Sequence, residues 1–479
     1  MTNKIRIIPR LDIKGPNVVK GIQLEGLRVV GNPSELARKY YNEGADELIY
    51  IDIVASLYDR NNLAHIVEET TKNGVFIPIT VGGGLRSLSD IGKMLRSGAD
   101  KVAINTAAVK NPNLIKEAAM AFGSSTIVLS VEAKKISEGN WEVYIENGRQ
   151  KTQLDVIEWI KQGIELGAGE ILITSVDKDG TKSGYDMDLI NAVALISKVP
   201  VVVSGGAGSL EDVSQCMLNK NINGISLATL LHYGELNIND IKSVLKQRFN
   251  NRVRHEIKKE NYVLDKRIDV EVSIIDYNLS NLHSVRNAFR QIGAEAKFIN
   301  NPEDVLNAKC LVLPGVGTFE EGMKNLTTKG LDDAIRKYVR MGKPLLGICL
   351  GMELLLTKSY EFGEHDGLGI IEGEVLPFRK EDFSCEDYKI PHVGWNTISM
   401  DTNCKGSIFD LGLNNIDAYF VHSLYVKPDN LSDVYGSTDY FGKKFASVIQ
   451  RGNIFGCQFH PEKSGNIGLK ILGNFCKKG

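Results

Sequence analysis

Val81-Gly-Gly-Gly-Leu-Arg-Ser87 is followed, 123 residues further on, by Ser204-Gly-Gly-Ala-Gly-Ser-Leu210. The same interval separates Gly44-Ala-Asp-Glu-Leu-Ile49 from Gly167-Ala-Gly-Glu-Ile-Leu172, and Asp12-Ile-Lys14 returns 120 residues on as Glu132-Ala-Lys134. Two equal offsets and one near-equal offset mark an internal duplication, two halves facing each other across a pseudo-twofold axis. Around these stretches, short β-branched runs recur at Ile5–Pro9, Leu48–Ile53, Phe76–Val81, Lys101–Ile104, Thr126–Val131, Ile171–Ser175, Val201–Ser204 and Gly224–Leu227. Helical-period segments alternate with them, among them Ser34–Asn42, Leu88–Ser97, Leu114–Ala121, Val156–Leu166 and Leu210–Asn219. Eight such units within residues 1–250 predict a (β/α)₈ barrel; an open doubly wound sheet is the competitor, and eight even repeats favour closure.

The glycine stretches follow apolar strands and precede helices, where small residues let backbone N–H groups close on an anion. Gly83 and Gly84 form one candidate phosphate cradle, Gly205 and Gly206 the other. Each is followed by a second short loop in the next unit, Asn105-Thr106 and Ala228-Thr229. A substrate with a phosphate at each end is the inference. Asp12 and Glu132 are expected at the C-terminal ends of strands one and five, on opposite sides of the catalytic rim, where two carboxylates can divide acid and base roles.

A composition break follows. Residues 251–268, rich in alternating Arg, Lys and Glu, read as a solvated linker to a second domain over 269–479. There the runs Val272–Asp276, Ala296–Ile299 and Cys310–Leu313, with a helix through Leu282–Ile292, give another α/β pattern. In Gly347-Ile-Cys-Leu-Gly351 an apolar strand meets a sharp turn and a helix start, placing Cys349 on a nucleophile elbow whose helix N-terminus is expected to favour the thiolate. In His460-Pro-Glu462 the proline holds the segment extended, so Glu462 and His460 point to one side and the carboxylate can orient the imidazole. A thiol, a base and an orienting group form the triad arrangement of nucleophilic catalysis.

The 479 residues carry 57 basic and 59 acidic side chains, a formal net charge of −2, which gives no global field for nucleic acid or a membrane surface. The start lacks a hydrophobic signal core and no stretch reaches the roughly 18 apolar residues of a membrane span, so a cytoplasmic location is the expectation. Seven scattered cysteines lack the close pairs of a zinc site or disulfide scaffold, and no spacing suggests a metal or an organic cofactor.

The triad motifs, over about Val270 to Gly479, resemble class I glutamine amidotransferases. That resemblance implies a glutamyl-thioester on Cys349 and release of ammonia from L-glutamine. Leu313-Pro-Gly-Val-Gly317 looks like the family's oxyanion loop, with Gly315, Val316, Gly317, Gly351 and position 353 holding glutamine and its oxyanion. From about Lys4 to Arg252, Asp12-Ile-Lys, Val19-Lys-Gly21, Asp52, Val81–Gly84, Ile104-Asn-Thr-Ala107, Thr174–Gly184 and Ser204-Gly-Gly206 resemble the cyclase subunits of imidazole glycerol phosphate synthase. Pro391–Asn396 and Tyr419–Ser423 resemble stretches of the partner glutaminase. The resemblance implies both halves fused, cyclase first and docked within one chain. Ammonia would pass through the barrel to a bisphosphorylated formimino aminoimidazole carboxamide ribonucleotide. It assigns Lys20, Asp52, Asp179 and Gly180 to substrate binding, and Arg6, Glu47, Lys101 and Glu170 to a ring of charges where ammonia enters.

Four positions depart from the pattern. Glu132 stands for an aspartate, Glu353 for a glutamine, Thr318 for a histidine and Arg10 for a cysteine. Glu353 is expected to add negative charge beside the thiolate and raise its pKa. The departures support a second reading, in which the barrel is a conduit handing ammonia to a separate enzyme that amidinates or aminates a surface sugar. A third reading, a non-catalytic glutamine or nucleotide sensor, is opposed by the intact Cys–His–Glu set.

Overall fold

The computed structural model describes residues 4–55, 63–254, 270–279, 281–401 and 404–479. They fall into two compact units. The first holds the described chain through Arg254 together with Asp387–Gly394, and the second holds the described chain from 270 to Glu386 and Trp395–Gly479. Of the expected linker 251–268, residues 255–268 lie outside the described residues.

The first unit is a closed barrel of eight parallel strands: β1 (Arg6–Lys14), β2 (Leu48–Asp52), β3 (Ile79–Gly82), β4 (Lys101–Ile104), β5 (Ile127–Ser137), β6 (Glu170–Ser175), β7 (Val201–Ser204) and β8 (Gly224–Leu227). Neighbours in sequence pair in space, β8 returns to β1 in the register Arg6↔Gly224, and β5 pairs β6 in the register Glu170↔Val128. No sheet edge is left within the ring. Side chains alternate in and out, so every second residue of β1 points into the barrel. Ile8 packs there with Ile49, Ala103, Val128, Leu172 and Val202, an apolar layer across the barrel. β3 begins at Ile79 rather than Phe76, because Pro78 has no N–H to give to the ladder.

The duplication is visible in the backbone. Helices α1 (Pro33–Asn42) and α3 (Val156–Glu165) lead to Gly44 and Gly167, both in the left-handed region at φ 91° and 107°. Helices α2 (Leu88–Ser97) and α4 (Leu210–Leu218) start on Ser87 and Ser209, whose side chains cap Asp90 N and Asp212 N. Asn105 and Ala228 adopt the same uncommon conformation, φ −123°, ψ −89° and φ −131°, ψ −74°. A further correspondence was not visible in the periodicity. β1 and β5 both overshoot the barrel into antiparallel hairpins, β1 pairing Asn17–Ile22 and β5 pairing Asn140–Ile145.

The second unit is built on parallel strands β9 (Glu271–Ile275), β10 (Glu295–Ile299), β11 (Cys310–Leu313), β12 (Leu345–Ile348) and β14 (Ile454–Cys457), ordered 10-9-11-12-14, with β13 (Lys443–Arg451) antiparallel to β14. Its core gathers Tyr277, Leu313, Phe319, Leu345, Leu350 and Met352. Among the described residues no helix is long and apolar enough to cross a membrane.

Candidate active sites on the barrel rim and at a nucleophile elbow

In the barrel, Asp12 lies where β1 leaves its parallel partner and enters the hairpin, paired to Ile51 on one side and Val19 on the other. Its carboxylate is buried and held by two cations: Arg10 Nε donates to Oδ1 at 2.8 Å and Lys20 Nζ approaches Oδ2 at 3.4 Å. Lys20 also reaches both oxygens of Asp179, at 2.9 and 2.7 Å. Burial alone would raise the Asp12 carboxyl, but Arg10 and then Lys20 outweigh it and hold it below the ordinary range. Gly180 closes this side, since a Cβ there would lie 2.3 Å from Gly21 O.

Glu132 behaves in the opposite way. It is buried, and Oε2 accepts a hydrogen bond from Gly148 N at 2.7 Å. Burial pushes its carboxyl up to about 7, with Gly148 N–H and Arg10 restraining the rise and Asp12 adding to it. Two buried carboxylates on one barrel rim thus sit in contrasting electrostatic surroundings, one held ionised by cations and one pushed by burial toward neutral pH.

Glu132 also lines a cavity of about 390 Å³ together with Asp52, Gly83, Gly84, Asn105 and Thr106. Six expected residues are therefore brought to one space. Gly83 must be glycine, because φ is 98° and a Cβ would stand 2.2 Å from Asp52 O. Asp52 Oδ1 accepts from Val54 N at 3.0 Å, and burial raises its carboxyl. The other expected residues, Asp12, Lys20, Asp179, Gly180, Gly205, Gly206, Ala228 and Thr229, are not among the residues lining this cavity. Gly206 mirrors Gly83, with φ 118° and its would-be Cβ 2.3 Å from Gly184 O. The sequence reading missed Arg86, Lys110, Asn111, Ser130, Glu146 and Asn147, which supply the rest of the polar and charged lining beside apolar residues such as Ile51 and Leu85. Glu146-Asn147-Gly148 carried a signal, since Asn-Gly between apolar runs marks a hairpin turn, and that turn supplies both lining and the bond to Glu132.

At the opposite end of the strands, Arg6, Glu47, Lys101 and Glu170 converge in a closed ring. Arg6 Nη1 meets Glu47 Oε2 at 2.7 Å and Nη2 meets Glu170, while Lys101 Nζ meets Glu47 Oε1 at 2.7 Å and also Glu170. Thr80 Oγ1 donates to Glu47 at 2.6 Å and Arg6 Nε to Asn223 O at 3.3 Å. All four charged side chains are at most 1% exposed.

In the second unit, Cys349 follows β12 with φ 51° and ψ −111°, an uncommon conformation for a residue with a Cβ and the mark of a strained elbow. Gly351 cannot be larger, as a Cβ would stand 1.8 Å from Leu313 O. His460 Nδ1 lies 2.8 Å from Glu462 Oε1, which leaves Nε2 for the sulfur. Burial would lower the imidazole pKa, but Glu462 and the Cys349 sulfur carry it well above its ordinary value. Burial raises the thiol, opposed by His460 and by the Leu350 N–H. The helix start does favour the thiolate through the Leu350 N–H, but burial outweighs it and the thiol pKa lies above its ordinary value. The helix is five residues, Leu350–Leu354, its end is buried, and the imidazolium is the larger stabiliser of the charged sulfur.

Glu353 acts in the expected direction, raising the Cys349 thiol pKa, but its own carboxyl is only partly ionised near neutral pH. Burial pushes its carboxyl up to about 8, with the hydrogen bond from Gln458 Nε2 at 2.7 Å opposing, so near neutral pH it adds little charge beside the sulfur. Gln458 Nε2 is 3.9 Å from Cys349 Sγ, a neighbour the motifs did not single out. Gly315 sits against the elbow, its would-be Cβ 2.7 Å from Leu350 Cβ and 3.0 Å from Gly351 N, and Gly317 has φ 134°. Thr318 starts the helix Phe319–Thr328 without a side-chain cap bond.

Comparison with known proteins agrees with both halves. The family described as "Histidine biosynthesis protein" matches residues 6–237, and "Glutamine amidotransferase class-I" matches residues 273–478. The imidazole glycerol phosphate synthase subunit HisF of Legionella pneumophila is 59% identical over 210 residues, covering 44% of this chain and 99% of that protein. HisF of Streptococcus mutans serotype c is 46% identical over 244 residues, 51% of this chain and 97% of that protein. HisF of Natranaerobius thermophilus is 46% identical over 243 residues, with 51% and 96% covered. The chain belongs to the imidazole glycerol phosphate synthase HisF family, and after its barrel in the sequence it carries a separate α/β domain that matches class-I glutamine amidotransferases.

Proposed function

We propose that the chain is a glutamine-dependent imidazole glycerol phosphate synthase of histidine biosynthesis, glutaminase and cyclase in one polypeptide. The observation that carries this reading is the acid/base pair of Asp12 and Glu132 on a barrel of the HisF family whose own chain also bears Cys349, His460 and Glu462.

Cys349 Sγ attacks the side-chain amide carbon of glutamine. His460 takes the thiol proton and delivers it to the departing ammonia, while Glu462 fixes the imidazole through Nδ1. Backbone N–H groups of the Gly315–Gly317 loop hold the oxyanion. Water then releases glutamate from the thioester. In the barrel, ammonia adds to the formimino carbon of the bisphosphorylated ribonucleotide, the bond from that carbon to the aminoimidazole-side nitrogen breaks, and the new nitrogen closes on the ribulosyl carbonyl with loss of water. Asp12 acts as base and Glu132 as acid, the products being imidazole glycerol phosphate and an aminoimidazole carboxamide ribotide. Gly83, Gly84, Asn105 and Thr106 hold one phosphate, and Gly205, Gly206, Ala228 and Thr229 the other. Lys20 and Asp179 close over Asp12. The ring of Arg6, Glu47, Lys101 and Glu170 is the gate through which ammonia enters the barrel.

The test supplies the full chain with the bisphosphorylated substrate and an ammonium salt and follows imidazole glycerol phosphate by mass spectrometry. Product is expected at neutral to mildly alkaline pH. Its absence, with Glu132→Asp equally inactive, overturns the cyclase assignment.

A further inference from the structure

Arg10 is a charged side chain in the barrel interior that the chemistry above does not use. It is 3% exposed and inward-facing, between the apolar layer at Ile8 and the carboxylate of Asp12. Its guanidinium spans the barrel. Nε donates to Asp12 at 2.8 Å, and Nη1 donates across to Thr174 Oγ1 on β6 at 2.9 Å and toward Ser204 Oγ on β7 at 3.4 Å. A planar fork held at three points on three strands has little freedom to turn, so the carboxylate it holds is also fixed.

We propose that Arg10 is a positioning residue for the barrel reaction, clamping Asp12 in the ionised, base-competent state and thereby leaving the acid role to Glu132. The proposal rests on the reading of Asp12 and Glu132 as base and acid. Arg10 feels both carboxylates: burial would lower its own pKa, and Asp12, then Asp179, and more weakly Glu132 raise it. The remaining groups facing Asp12 do not replace it. Lys20 on the hairpin is shared with Asp179, its shorter contacts being to that residue. His232, whose Nε2 lies 3.1 Å from Arg10 O, is pushed by burial to about 4 and is uncharged at neutral pH. Glu132 opposes ionisation of Asp12 once it is itself charged, so removing Arg10 brings the two carboxylates toward competition for one proton.

The test reads Asp12 directly. The full chain labelled with ¹³Cγ-aspartate is titrated by NMR from acid to neutral pH as wild type, Arg10→Met and Arg10→Lys, with Asp12→Asn assigning the resonance. The midpoint of Asp12 is expected to rise by at least about one pH unit in Arg10→Met, and by less in Arg10→Lys, which keeps the charge and loses the fork. The acid limb of ammonium-driven turnover moves up with it, whereas glutamine hydrolysis is unchanged. An unmoved midpoint, or a turnover loss equal at every pH, overturns the proposal; Arg10→Gln decides if the methionine variant fails to fold. A wild-type protein that makes no product from ammonium overturns the synthase reading, and the Asp12 titration still decides the part played by Arg10.

Discussion

Replacing Arg6 by methionine removes the strongest node of the buried charge ring. Arg6 donates to Glu47, to Glu170 and to the Asn223 carbonyl, and all of these groups lie out of reach of solvent. Methionine fills much of the volume but leaves two carboxylates facing Lys101 alone, so one buried negative charge is uncompensated. Breaking a buried pair by deleting one partner costs about 3–5 kcal/mol. With a urea dependence of about 2 kcal/mol per molar, the unfolding midpoint of the barrel falls by roughly 2 M. Pulse proteolysis across a urea series, with fragments identified by mass, reads the barrel separately from the second unit. The loss also has a pH signature. In the wild type, burial would raise the Glu170 carboxyl, but Arg6 and Lys101 hold it below its ordinary value. Its stabilisation is therefore complete above the unfolded value and is lost only as pH falls through the lower folded one. In Arg6→Met a ring carboxyl is raised instead, so the penalty is largest at pH 8 and shrinks toward pH 5 as that group takes up a proton. A midpoint shift under about 0.5 M, or one equal at both pH values, refutes the reasoning.

Glu353→Gln is expected to extend glutamine hydrolysis to higher pH. The wild-type carboxyl, near 8, becomes negative beside Cys349 as pH rises through that value and disfavours the thiolate, whereas glutamine cannot ionise; superimposable pH–rate profiles would count against this. Glu132→Gln keeps an acceptor for Gly148 N but no titrating proton, so ammonium-driven turnover falls by at least about 100-fold while glutamine hydrolysis persists, as paired assays can show. Gly206→Ala forces a Cβ to 2.3 Å from Gly184 O at φ 118° and is expected to raise the KM of the bisphosphorylated substrate severalfold, with Gly83→Ala doing the same from the other cradle; an unchanged KM for both removes the phosphate assignment.

The barrel was legible because its signal is periodic and repeated. Parallel strands such as Val201–Ser204 are buried throughout and read as unbroken β-branched runs, and Leu88–Ser97 is bounded by a serine cap and a glycine that announce its ends. The hairpins after β1 and β5 were harder to read, since Glu25–Gly31 and Gln150–Asp155 are largely exposed and carry no apolar alternation. The elbow at Cys349 and the pairing of His460 with Glu462 followed from local chemistry at fixed spacing. Protonation states did not, because they depend on burial and on partners distant in sequence. Glu353 reads as a negative charge until Gln458, 105 residues on, and the surrounding core show that it holds its proton to about 8. Arg10 gave no sign that it would cross the barrel to Thr174, 164 residues away.

The ring at the base of the barrel contains two cations and two carboxylates, so its formal charges cancel. An ion approaching along the axis would meet no long-range attraction to offset shedding its water, whichever its sign. An uncharged species as small as ammonia sheds far less hydration. On the proposed reading of the ring as an ammonia inlet, its electrical balance favours neutral molecules over ions, and substituting either carboxylate by its amide would give the ring a net positive sign.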